Sequence, residues 1–166
     1  MLSLKDGKIV REWSILLPEC QAEAPGLIAT IQKKLAAYEV QGLSSNEESA
    51  STGFFKSVMG KRRDFLVVRV EQFSEWLVCI GARDYGRTLN VVWYLVTSPK
   101  FLNKIRSAAA GDVLVDELDV FDQQDVNAFA SLTRMVTVSS TEEIAQKKDL
   151  NLDRLDKQAR GIRAAG

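Results

Sequence analysis

Apolar and polar residues alternate along much of the stretch 64–97, and a period of two predicts strands whose successive side chains point to opposite faces. The correct strand register is the one that collects the apolar side chains on a single face. A tight second turn centred on Tyr85-Gly86, with glycine where positive φ is wanted, pairs Ala82 with Leu89, Ile80 with Val91, Val78 with Trp93 and Trp76 with Leu95. A short first loop, Gln72 to Ser74, adds Leu66, Val68 and Val70 to the same side. The prediction is a three-stranded antiparallel meander over 64–97 with one fully apolar face. The reverse face is mixed. It carries Phe65, Val67, Arg69, Leu77, Cys79, Gly81 and Arg83, then Asn90, Val92, Tyr94 and Val96, and becomes polar toward the second turn.

Upstream, Ile9, Trp13, Ile15 and Leu17 fall on one side of an alternating run, with Glu12 and Ser14 opposite, and Pro18 closes it: a first strand. Pro25 suits a first helical turn, and Leu27, Ile28, Ile31, Leu35 and Tyr38 recur at helical spacing, predicting an amphipathic helix over 25–39. Residues 41–53 are rich in serine with Asn46, Glu47 and Glu48, a composition for a loop or an irregular edge strand. Ser98-Pro99 opens a further helix that Gly111 ends, and Asp122 reads as the N-cap of another whose inner side holds Val126, Phe129, Ala130, Thr133 and Val136. Residues 141–166 are heavily charged, with a thin seam of Leu152, Leu155, Ala159 and Ile162 suited to a groove or to the domain's own surface. The expected fold is α+β: an antiparallel sheet of about four or five strands packed by roughly two to four helices. Residues 1–140 form a single domain in this reading, and 141–166 a charged C-terminal helix or tail.

The composition, 46% hydrophobic and 27% charged, is that of a globular chain, and its length suits one core. The 22 basic and 22 acidic residues cancel, so any affinity for an anionic partner has to come from local clustering. No stretch is apolar for long enough to suggest a membrane span, and the N-terminus lacks the features of a secretory signal, so a cytoplasmic location is expected. Cys20 and Cys79 are too few for a disulfide framework and read as reduced thiols. The chain has no histidine, which removes Ser-His-Asp and Cys-His chemistry and the commonest metal ligand.

Because the strands alternate in direction, Lys61, Arg62 and Arg63 enter at the sheet end that also carries Arg83 and Arg87, beside Asp64, Asp84 and Asn90. Planar guanidinium forks near glycine turns suit carboxylate or phosphate. The competing reading is a solvated sheet end in which Asp64 and Asp84 neutralise the arginines. Gly60-Lys61 does not belong to a phosphate-binding P-loop, since residue 55 is phenylalanine and residue 62 arginine where that motif needs glycine and Ser or Thr. Phe54 and Phe55 lie among basic residues and are candidate stacking groups, against the alternative that they pack under the sheet. The acids Asp116, Asp119, Asp122 and Asp125 lack the alternating pattern of a calcium loop and read as helix capping plus a solvated face.

The sequence therefore predicts no catalytic residue, metal or cofactor. It points to a small cytosolic interaction domain or accessory subunit that binds an acidic protein partner, or a second copy of itself, through the basic sheet end and the charged tail. The anion-binding patch is Lys61, Arg62, Arg63, Arg83, Arg87 and Asn90. A phosphate-ligand or nucleic-acid module at the same patch is the less favoured alternative. An enzyme using Asp84 or Cys79 comes third.

Overall fold

The structure, a computed structural model, describes residues 8–50, 63–97 and 120–155. The strands are β1 (Lys8–Pro18), β2 (Leu43–Ala50), β3 (Arg63–Val70), β4 (Trp76–Tyr85) and β5 (Thr88–Thr97), and the helices are α1 (Ala24–Ala37) and α2 (Val120–Lys147). They form one five-stranded antiparallel sheet in the order β1-β5-β4-β3-β2, an α+β architecture with the expected meander as β3-β4-β5. The serine-rich segment is the edge strand β2, paired along β3 from Leu43–Val70 to Ala50–Arg63.

β1 and β2 lie at opposite edges, so the chain between them must travel the width of the sheet, about 19 Å for four strand spacings. α1 is 14 residues long, about 21 Å, which is of that order. Its Leu27, Ile31 and Leu35 are buried against the apolar face together with Val126, Phe129, Ala130, Val136 and Ile144 of α2. That face contributes Leu66, Val68, Val78, Ile80, Leu89, Val91, Trp93 and Leu95 to one continuous core, and burying each such side chain stabilises by about 1.5–3 kcal/mol. Lys34 of α1 joins α2 through Glu143, at 2.7 Å, and the Ser139 hydroxyl, at 3.1 Å.

The structure corrects several expectations. The second turn is centred on Gly86-Arg87, because Tyr85 pairs with Thr88, Ile80 with Trp93 and Val78 with Leu95. Gly86 has φ +63° while Arg87 is not among the positive-φ residues, the pattern of a type II′ hairpin. A turn centred on Tyr85 would force a bulky residue toward positive φ. The slip is two residues, so every side chain keeps its predicted face. In the first hairpin the predicted register holds, Val68 opposite Val78 and Leu66 opposite Ile80, with a single 3-10 turn at Glu71–Phe73. A bulge between Ile9 and Arg11 reverses the parity of β1, so Ile9 packs on the reverse face and Val10 takes the core side.

α1 stops at Ala37, leaving Tyr38 as an exposed C-cap instead of the end of the stripe. α2 begins at Val120, so Asp122 sits in its first turn, where a carboxylate favours the helix dipole, and does not cap it. The same helix runs unbroken past residue 140 with Ser140, Thr141, Ile144 and Ala145 buried, and Leu150, Leu152 and Leu155 pack back on the core. The helix expected after Ser98, residues 112–119 of the acidic run, and Ala159 and Ile162 of the tail seam lie outside the described residues. Among the described residues no helix is long and apolar enough to cross a membrane.

Candidate anion-binding site

The reverse face of the sheet is ordered in cross-strand rows. Phe65, Val67, Leu77, Cys79 and Val96 are buried there as a second apolar cluster, with Ile9, Val92 and Tyr94 packed around it. Toward the second hairpin the rows become polar: Leu16 opposes Asn90, and Asn90 opposes Arg83. The β3–β4 ladder ends at Leu66–Ile80, while β3 continues to Arg63 against β2 and β4 continues to Tyr85 against β5. Extending the register sets Phe65 beside Gly81 and Arg63 beside Arg83.

Gly81 lets the neighbouring side chains close in. A Cβ built there would stand 2.8 Å from Val92 Cγ2 and 2.9 Å from Phe65 Cε1, so the two side chains close over bare backbone. Beside them lies a cleft of about 300 Å³ lined by Phe65, Val92 and Tyr94 as apolar wall, by Gly81 and Ala82, and by Arg63, Asp64, Arg83 and Asn90. That volume lies at the small end of ligand sites, room for one side chain or a small molecule.

The electrostatics follow from where the nearby acids are engaged. Asp64 accepts a short hydrogen bond from the Ser49 hydroxyl across the β2–β3 ladder. Asp84 Oδ2 accepts the Ala22 amide N–H at 3.0 Å. Arg87 pairs with Glu19. The Asp84 and Arg87 contacts fasten the hairpin tip to the loop after β1, where Glu19 and Ala22 sit at φ +57° and +69°. Neither aspartate neutralises Arg63 or Arg83. Among the described residues those two arginines form no ion pair, and the Arg83 guanidinium lies 6.0 Å over the Tyr85 ring. Arg63 and Arg83 thus bring two positive charges to the lining of the cleft.

Of the sequence-predicted patch, Arg63, Arg83 and Asn90 converge on this cleft, Arg87 is held apart by Glu19, and Lys61, Arg62, Phe54 and Phe55 lie outside the described residues. Phe65, Gly81 and Val92 were not among the residues singled out from the sequence. A glycine inside a strand pattern is the signal for close approach.

Other groups on this face are structural. Arg69 grips Glu48 with both nitrogens, Nη2 to Oε2 at 3.2 Å, and that hydrogen bond draws the Glu48 carboxyl below its usual range. Burial pushes the Cys79 thiol up to about 12, so at neutral pH it is protonated and a poor nucleophile. A larger groove of about 600 Å³ lies between β1 and α2, beside Arg11, Trp93, Arg134 and Met135. There Arg11 bonds Asn127 at 3.0 Å and the Trp93 indole N–H donates to Thr133 Oγ1 at 3.2 Å, so its polar groups are partly satisfied from within. Among the described residues no three His, Cys, Asp or Glu side chains gather to hold a metal ion. Compared with models of protein families, with curated proteins and with solved structures, the chain matches none.

Proposed function

We propose that this protein is a small cytosolic, non-enzymatic interaction domain, accessory to a larger assembly, that holds an acidic partner protein at the cleft between Arg63, Arg83 and Asn90. One observation carries the reading: two arginines share a concave site while the nearest carboxylates are engaged by Ser49 and Ala22. Guanidinium groups without a counterion favour an incoming carboxylate, and a bidentate fork gives that contact direction. A nucleic-acid reading has less support, because backbone binding needs a track of cations and the described cleft offers two.

The test is titration of the protein with an acidic peptide at low and physiological salt. Replacing Arg63 and Arg83 together by alanine should weaken binding about ten- to a hundredfold, the loss expected for charge-assisted hydrogen bonds. Arg87→Ala should leave affinity within about twofold, since that arginine is already paired with Glu19 on an exposed surface. Equal affinity of the double variant and the wild type would overturn the reading.

A further inference from the structure

The cleft has two halves of different chemistry, and the interaction-domain reading by itself uses only one. Arg63, Arg83 and Asn90 form a polar rim, whereas Phe65 and Val92 form an apolar wall. An aspartate or glutamate side chain would bring a carboxylate on one or two methylenes and leave the apolar half uncovered. A free phosphate would meet the two arginines but likewise leave the apolar half uncovered. A carboxylate attached directly to the carbon that also bears an apolar side chain satisfies both halves at once. The free C-terminus of a peptide ending in an apolar residue has this structure.

Two further side chains say which way such a peptide would leave. Leu16 and Tyr85 are 54% and 70% exposed, and both project from the reverse face beside the row that holds Asn90 and Arg83. They do not line the cleft itself but add exposed apolar surface on the same sheet face, where the preceding residues of a bound chain would lie. Resting on the proposed interaction-domain reading, we infer that the cleft captures the C-terminal carboxylate of a partner whose last residue is apolar, with Arg63, Arg83 and Asn90 on the carboxylate and Phe65 and Val92 on the side chain. Capture of a terminal carboxylate is a known mode of peptide recognition, and it is indifferent to acids elsewhere in the partner.

The experiment compares four probes by calorimetric titration against the full chain: a short peptide ending in phenylalanine with a free carboxylate, the same peptide amidated, an amidated peptide with internal glutamates, and benzoate. The expected result is that amidation weakens the first peptide at least about tenfold and that the Arg63/Arg83 double alanine variant does the same. Benzoate should bind at least about tenfold more weakly than the free-carboxylate peptide, because it cannot reach Leu16 and Tyr85. Asn90→Asp, nearly isosteric at a half-buried position, sets a competing carboxylate opposite Arg83 and should weaken binding at least about tenfold with the fold intact by circular dichroism. If the internal-glutamate peptide binds as tightly as the free-carboxylate peptide, and through the same arginines, the terminal-carboxylate inference falls and the interaction-domain reading stands. Benzoate binding as tightly as the peptide would also overturn the inference, in favour of a small free acid. Arginine-independent binding of every probe, or none, overturns both.

Discussion

Gly81 has no room for a side chain, because Val92 and Phe65 of the cleft wall already close over its backbone. Filling it with a methyl group would push on Val92 and Phe65 from 2.8 and 2.9 Å, and both neighbours are packed on the reverse face. Overpacking of this kind costs about 1–3 kcal/mol. Gly81→Ala is therefore expected to lower the urea midpoint and, where it folds, to weaken peptide binding. Unchanged stability would mean that Phe65 can swing aside freely. The sequence showed a glycine on the reverse face of a strand, but which ring lies over it depends on the register and on the Phe65 rotamer, neither of which a glycine encodes.

At the scale of the element, α2 shows how a polar pattern can be buried. Thr133, Thr137 and Thr141 are fully buried, and each hydroxyl donates to the carbonyl four residues earlier, at Phe129, Thr133 and Thr137. A hydroxyl satisfied by its own helix behaves toward the core almost as a small apolar group. This explains why the inner side was legible from Val126 to Val136 and the later part of the helix was not: the threonines resemble a solvated face until their hydrogen bonds are known. Ser140 is the exception among them, with a buried oxygen that has no hydrogen-bond partner. Ser140→Ala is accordingly expected to stabilise the protein by about 0.5–1 kcal/mol, through relieved desolvation and better helix propensity. Thr133→Val should instead cost about 1–3 kcal/mol, because it strands the indole N–H of Trp93, which is 2% exposed. Equilibrium denaturation of both variants checks the pair, and a stabilised Thr133→Val would contradict it.

For the molecule as a whole, stability is set against pH from two sides of the same sheet face. The Arg69 hydrogen bond holds the Glu48 carboxyl below its unfolded value, so the contact is fully stabilising above the ordinary carboxylate range and is lost as pH falls through the lowered folded value. Cys79 works at the alkaline end. Its thiol rises from 9.0 to about 12 on burial, so folding is favoured below the unfolded value and that advantage is lost as pH climbs between the two. Urea midpoints should be flat through neutrality and fall at both extremes. Glu48→Gln should flatten the acid limb by about 1 kcal/mol, and Cys79→Ala should flatten the alkaline limb while lowering stability throughout. An acid limb identical in wild type and Glu48→Gln would assign acid lability to other carboxylates.

Local pattern was enough to set the faces of the β3-β4-β5 meander, the amphipathic side of α1, the inner side of α2 as far as Val136 and the meeting of Arg63 with Arg83 at one sheet end. Strand parity and helical period are local, and they survive even the two-residue slip in the second hairpin because an even shift preserves every face. The bulge beside Val10, which inverted Ile9, was not legible, since one unpaired residue leaves no compositional mark. Nor were the partners of the charged groups. Asp64 and Asp84 stand next to arginines in sequence, yet they bond Ser49 and Ala22, and Arg87 turns to Glu19 on another element. Which charge meets which is decided by distances between elements that are remote along the chain. Tertiary structure alone therefore left Arg63 and Arg83 without an ion pair beside a cleft walled by Phe65 and Val92.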